Sequence, residues 1–427
     1  VSYRNSFFAV AFAGLCSVSQ ARERATIIVA ANGGGNFRTI QSAVNSIPLD
    51  NRESIVILVR NGVYNEKIFI ERSFVSLVGE NRESTRIVYA ELRENWNNAH
   101  ANSDWGAGVV NIDSGATDIT LANLTIYNNF GWKNGVFNKH QFAIRGAGTR
   151  IVLLHCNVIS DGGDALSLWN RQSGMYYHAS CFFEGWVDYV CPRGWCYITD
   201  SEFFSHSKTA SIWHDGSANK DQKFVIVNST FDGVPGFPLG RNHRDGQYVL
   251  LHCRFSERMA NKPIYFPLES SNAKPWMWGA RQYYSGCSRD DGNFSWFKDN
   301  LNEAEGAPTT DRITAKWTFA NKWDPEGTMP SVLPFAFLPT PRSNATNVHI
   351  RSAVLSWVPG RNAESHNVYF GRTNPPEFNR NQKGASFTPE RLETSATYFW
   401  RVDTVTEEGI VEGEVWNFRT VQDPVSR

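Results

Sequence analysis

Six times between residues 123 and 255, a small or polar residue stands three places ahead of an apolar one: Asn123/Ile126, Cys156/Ile159, Ser180/Phe183, Asp200/Phe203, Asn228/Phe231 and His252/Phe255. The intervals are 33, 24, 20, 28 and 24 residues. A period that drifts around two dozen suits successive coils of a parallel β-helix joined by loops of unequal length. It does not suit a β-propeller, whose blades need about 40 residues. Coils of such a solenoid stack about 4.8 Å apart. Residues remote in sequence therefore become neighbours on one face.

The rest of the chain up to about residue 285 agrees with this reading. It is a series of short runs rich in Val, Ile and Phe, such as Ile55–Val59, Val75–Val78 and Ile151–Leu154, broken by Gly, Asn and Asp. Thr39 to Ile47 has Ile40, Ala43, Val44 and Ile47 at helical spacing. This predicts a helix that caps the N-terminal end of the solenoid, where an open edge would otherwise pair with other chains. The texture changes after Trp323. A Pro-rich stretch is followed by alternating strands with Trp357, Tyr398, Trp400 and Trp416, resembling a fibronectin type III-like sandwich. The expected organisation is a leader over 1–21, a β-helix over 22–329, a linker over 330–346 and a sandwich over 347–427. The fold class is all-β: a right-handed single-stranded parallel β-helix followed by a small β-sandwich.

The leader is read from Arg4, the apolar run Phe7–Val18 and the small residues Ser19 and Ala21. It predicts export, either to the periplasm or out of the cell. Six cysteines then remain: Cys156, Cys181, Cys191, Cys196, Cys253 and Cys287. Cys191 and Cys196 are spaced to close a small loop. Cys156, Cys181 and Cys253 fall in strand-like runs and read as buried, stacked thiols. No Cys-x-x-Cys pair or His-x-x-x-His spacing signals zinc, and no metal or other cofactor is expected. Lys plus Arg equals Asp plus Glu at 42 each, so no global field attracts nucleic acid or an anionic membrane. The 15 Trp and 14 Tyr supply faces on which sugar rings can stack. A monomer is expected.

Several segments resemble the pectin methylesterases. Ile27–Gln41 is similar to their opening strand, glycine turn and capping helix. Val59-Arg-Asn-Gly-Val-Tyr-Asn-Glu-Lys-Ile68 is similar to their Pro-Gly-Val-Tyr-x-Glu-x-Val coil. Four further segments follow in family order: Gln141-Phe-Ala-Ile144, Gly163-Asp-Ala-Leu166, Glu184-Gly-Trp-Val-Asp-Tyr189 and Leu239-Gly-Arg241. The resemblance spans about residues 26–290. It implies hydrolysis of methyl esters on the uronates of a pectin-like polysaccharide. Asp188 would be the nucleophile and Asp164 the general acid and base. Gln141 would donate to the oxyanion, and Arg241 would orient Asp188 and keep it ionised. No Gly-x-Ser-x-Gly elbow competes with this reading.

The chain also departs from the family pattern. Gly163 stands where a second oxyanion Gln is expected, Asn242-His243 replaces Pro-Trp, and Tyr189-Val-Cys-Pro192 replaces Phe-Ile-Phe-Gly. Loss of one oxyanion donor costs about 2.7–4 kcal/mol unless another takes its place. His214 is the expected replacement, and Trp169 or Trp213 the replacement for the sugar-stacking Trp. With His243 and Tyr189 these residues form the expected substrate-binding set. Two other readings compete. One is a β-helix lyase with Ca²⁺ held by Asp161 and Asp164, marked by chelator sensitivity and unsaturated products. The other is a glycan-binding protein without activity, marked by binding without release of alcohol.

Overall fold

The computed structural model describes residues 25–267, 274, 276–306, 308–351 and 353–422. The expected leader lies outside the described residues. The first two-thirds of the chain winds through three parallel sheets of ten, nine and seven strands, visited in turn by each coil. The ten-stranded sheet runs from Ala25–Val29 to Arg281–Ser285 and the nine-stranded sheet from Gly62–Tyr64 to Ser288–Arg289. The seven-stranded sheet runs from Ile68–Ile70 to Gly240–Arg241. This is the parallel β-helix that the drifting repeat predicts.

The repeat itself marks one corner, between the ten- and nine-stranded sheets. Asn123, His155, Ser180, Asp200, Asn228 and His252 all sit there with φ between 50° and 55°. Left-handed backbone costs a non-glycine residue about 1 kcal/mol or more. Each turn offsets that cost by donating its N–H to a carbonyl of the next coil: Asn123 to Leu154 at 2.9 Å, Ser180 to Thr199 at 3.1 Å, Asn228 to Leu251 at 2.8 Å. The second member of the repeat is His155/Val158 and not Cys156/Ile159, because Val158 is in register with both Ile126 and Phe183. The apolar member of each pair points inward. Phe183, Phe203, Phe231 and Phe255 stack with centroids 5.2, 4.2 and 5.0 Å apart.

The residue after each turn forms a second internal ladder. Cys156, Cys181 and Cys253 each donate a thiol to the carbonyl two residues earlier, and the hydroxyls of Ser201 and Ser229 do the same. These are the stacked thiols read from the sequence. Cys191 and Cys196 do not close a loop. They lie on strands of different sheets, and all six cysteines are free.

The capping helix runs Ile40–Asn45 with Thr39 as N-cap, and it buries Ile40, Ala43 and Val44. The Glu66 carboxylate also takes the N–H groups of Ile40 and Gln41, at 3.0 Å each. The outer face of the ten-stranded sheet is apolar. It is covered by Leu301, Ile313, Phe319, Val332, Leu333 and Phe337. The stretch 330–346 is therefore not a free linker: its start is packed on the β-helix, and Phe337–Thr340 and Ala345–His349 are strands of the C-terminal sandwich. That sandwich packs a three-stranded sheet on a larger one around Leu355, Trp357, Val368, Trp400 and Phe418. At its seam with the β-helix, Arg342 pairs with Asp200 at 2.8 Å and with Glu326.

Candidate active site

Asp164 and Asp188 occupy equivalent places on successive coils. Each stands two residues ahead of a strand of the seven-stranded sheet, and those strands pair Leu166 with Val190. Each has positive φ, 57° and 52°. Each donates its N–H to the coil above, Asp164 to Val187 at 3.1 Å and Asp188 to Ala210 at 3.0 Å. Asp188 is thus a turn residue and not mid-strand. Stacking sets the two backbones about one coil rise, ~4.8 Å, apart. Both side chains are nearly closed off, at 5% and 6% exposure.

Arg241 lies two coils beyond Asp188, on the strand Gly240–Arg241. It reaches back to Asp188 with Nε 3.1 and 3.2 Å from the two carboxylate oxygens and Nη2 2.7 Å from Oδ2. Asp164 has no such clamp. Burial raises both carboxyls. Asp188 is pushed up to about 6, with Arg241 opposing the rise and the charge of Asp164 adding to it. Asp164 is raised by burial, opposed by His140, by the Cys191 thiol within hydrogen-bond reach, and by Arg93 and Arg145. Both carboxyls are thus raised, and only Asp188 is paired with a guanidinium that favours its charged form.

Gln141 does not face this pair. His140 and Gly163 are bridge partners, so Gln141 is the register equivalent of Asp164. Asp164 and Asp188 are in the left-handed region, whereas Gln141 is absent from the positive-φ residues, and its side chain takes another course. Its Oε1 accepts from Gly131 N–H at 3.0 Å and its Nε2 donates to the Val136 carbonyl at 2.7 Å. The amide is fully buried and pins the loop 130–136, which removes it as an oxyanion donor.

Two of the five expected substrate-binding residues are also turned inward. Tyr189 is fully buried in the β-helix core. His214 is fully buried, with Nε2 2.7 Å from the Gly194 carbonyl and Nδ1 accepting from Gln247 N–H at 3.4 Å. Burial holds its imidazole neutral, down at about 4. With both ring nitrogens engaged by backbone it cannot replace the missing donor. The other three gather on the outer face of the seven-stranded sheet. Trp169 and Trp213 have centroids 6.1 Å apart, and His243 lies 5.9 Å from Trp213. Arginines interleave them. The Arg193 guanidinium is 3.8 Å from the Trp169 ring and 4.6 Å from that of Trp213, and Arg145 is 4.7 Å from Trp169. The Nε of Arg145 and Arg193 and the Nε1 of both tryptophans are buried without partners among the described residues. A hollow of about 350 Å³ opens beside them, lined by Arg145, Trp169, Arg171 and Arg193.

The sequence reading overlooked this arginine ladder, although Arg145 follows directly on a quoted motif. It also overlooked Trp186, two residues before Asp188, which stacks on His206 at 5.7 Å and leans on Phe137 at 5.7 Å. Asp161 is a structural acid. Its oxygens accept from Tyr127 Oη at 2.9 Å and Trp132 N–H at 2.7 Å, so it is committed to the 130–134 turn. A larger cleft of about 550 Å³ lies at the seam with the sandwich. Of its acids, Asp200 pairs with Arg342, Glu414 with His155 at 3.3 Å and Glu83 with Arg82 at 3.2 Å.

The fold and this face define a parallel β-helix protein with a stacked, singly clamped aspartate pair. Residues 26–232 match the model of the pectinesterase family. Among curated relatives, probable pectinesterase 49 of Arabidopsis thaliana is 28% identical over 173 residues, covering 40% of this chain and 45% of the relative. Pectinesterase QRT1 of the same plant is 25% identical over 234 residues, covering 51% and 58%. The chain thus spans about half the length of these relatives. Among solved structures, pectin methylesterase PemA from Erwinia chrysanthemi has TM-score 0.55 at 20% identity, over 73% of this chain and all of that one. Pectin methylesterase from carrot has TM-score 0.52 at 19% identity, over 70% and 96%. These likenesses bear on the fold.

Proposed function

We propose that this protein is an exported esterase that hydrolyses methyl esters of uronate residues in a pectin-like polysaccharide. The observation that carries the proposal is the aspartate pair, stacked on successive coils with one member alone clamped by Arg241. The match to the pectinesterase family model supports the same reading. So does a neighbour of the same fold, a pectin methylesterase solved in complex with a hexasaccharide. The arginine–tryptophan ladder suits an acidic sugar chain, with rings for the sugar faces and guanidinium groups for free carboxylates.

In this mechanism Asp188 attacks the ester carbonyl carbon. As the tetrahedral intermediate collapses, Asp164 gives its proton to the departing methoxide, and methanol leaves. An anhydride between Asp188 and the uronate remains. Asp164, now ionised, takes a proton from water as the oxygen attacks that anhydride. The uronate leaves as the free acid, Asp188 regains its charge and Asp164 its proton. Burial raises both acids, and the Arg241 clamp opposes that rise at Asp188. No metal enters these steps.

The test is methanol release from highly methyl-esterified pectin, with and without chelator, beside Asp188→Ala. Release that survives the chelator and disappears in the variant is expected. A wild-type protein that releases no methanol, or that yields unsaturated products, would sink the proposal.

A further inference from the structure

With Gln141 turned into a loop and His214 locked in the core, the pair lacks a side-chain donor for the oxyanion. A side chain at residue 163 cannot supply one. A Cβ built on Gly163 would lie 2.7 Å from the Val187 carbonyl oxygen and 2.8 Å from Val187 Cγ1. Real Cβ atoms essentially never come so close, and the obstruction includes backbone. Residue 163 therefore contributes no donor, and its neighbour one coil below is His140.

His140 is the residue that coil presents. Its backbone bridges to Gly163, which places it one coil below the residue preceding Asp164. Its side chain is 42% exposed and so open to a ligand. The same bridge sets it on the coil that stacks directly against the turn holding Asp164. Other groups hold it from behind. Its carbonyl accepts from Arg93 N–H at 3.0 Å, and its Nδ1 lies 3.8 Å from a Glu94 carboxylate oxygen. Arg93 itself is tied to Asp104 at 2.7 Å and is not free to serve the site. A carboxylate on the Nδ1 side leaves Nε2 as the nitrogen that can turn to substrate.

We infer that His140 is the oxyanion donor of this site: its imidazole N–H hydrogen-bonds the ester carbonyl oxygen as negative charge develops there. This rests on the esterase reading and deepens it. A donor aimed at the oxyanion strengthens in the transition state, so its loss is felt in kcat and little in KM.

The experiment is steady-state methanol release by wild type, His140→Ala, His140→Gln and Asp188→Ala, each with a measured Tm. Expected for His140→Ala is a fall in kcat of about 10²-fold or more with KM within a factor of about three. His140→Gln, which restores an N–H donor, should recover most of that loss. Unchanged kcat in His140→Ala, or a loss carried by KM alone, would overturn the inference. Equal loss in both variants at wild-type Tm would overturn it too. Should His140→Ala not fold, the Gln variant carries the test: activity within about tenfold of wild type supports a donor, and near-complete loss at wild-type Tm removes it. An inactive wild type would strike the esterase reading itself, a result distinct from all of these.

Discussion

Arg241 and Asp188 are 53 residues apart in sequence, yet the guanidinium holds the carboxylate through contacts of 2.7, 3.1 and 3.2 Å. Asp188 is almost inaccessible to water, so this clamp is what favours its charged form. Removing one partner of a buried pair leaves the other charge uncompensated, at a cost of about 3–5 kcal/mol. Arg241→Ala should therefore lower Tm and reduce kcat/KM by about 10²-fold or more. Unfolding curves and methanol release on the same preparation check both effects. Lys at 241, a point charge that cannot reproduce the fork, should recover little of the rate.

The pH dependence follows from Asp188. As the proposed nucleophile it must be ionised to attack, and in the fold its carboxyl is pushed up to about 6. The rate should climb with pH through about 6, with a slope of one proton, and fall again once Asp164 loses the proton it gives to the leaving group. In Arg241→Ala the opposing contribution is gone, so the rise should move to higher pH. A profile flat from pH 4.5 to 7.5 would rule out Asp188 as the nucleophile.

Asp164 makes a prediction about stability. Burial raises its carboxyl above the ordinary range. A carboxyl whose folded pKa exceeds its unfolded one adds stability at pH below the unfolded value. That contribution is lost as pH rises through the folded value. Asp164→Asn is neutral at every pH and escapes the loss. The variant should be inactive yet have a higher Tm than wild type at pH 8, the gap closing as pH falls towards about 4. Thermal melts across that range would show it.

His214 should behave as a core residue. Its ring bridges the Gly194 carbonyl and the Gln247 N–H inside the β-helix. His214→Ala removes packing and leaves buried backbone groups unmatched, a loss of about 2 kcal/mol or more. Tm should fall while kcat measured well below the melt stays near wild type. A selective loss of kcat at unchanged Tm would contradict this placement.

The β-helix is legible in sequence because its corner turns demand a backbone that Asn, Asp, Ser and His tolerate, and because an apolar residue must follow at a set distance to fill the interior. Asp164, Asp188 and Arg241 are legible because the motifs that hold them are short and keep their order. Other parts of the site are not, and the reasons are physical. Val187-Asp188-Tyr189 looks like a strand, since only φ shows that Asp188 turns. Gln141 and His140 differ by a single step in register, and one step sends a side chain to the other face. His214 carried a signal that was passed over. Period-two alternation puts it on the same side as the buried Ile212, away from Trp213. The arginine ladder is invisible in the one-dimensional order because its rungs come from three different coils.

From Asn123-Leu124 through Asp200-Ser201 to Gly286-Cys287 the corner marked by the left-handed residues stays two residues long, whereas one earlier coil, between Val75–Gly79 and Thr85–Tyr89, spends five there. The chain between the nine- and seven-stranded sheets is not constant: four residues precede Val190–Arg193, and fifteen precede Ile144–Gly146. From Asn123 onward this corner behaves as a constant spine, and the drift in the period is made elsewhere. Asp164 and Asp188 sit at the ends of those variable connections. Insertions and deletions can therefore reshape the rim around the acids, and with it the choice of polymer and ester, while the spine keeps the two carboxylates one coil apart. Diversification of such a scaffold is expected to accumulate on the side where the chemistry lies.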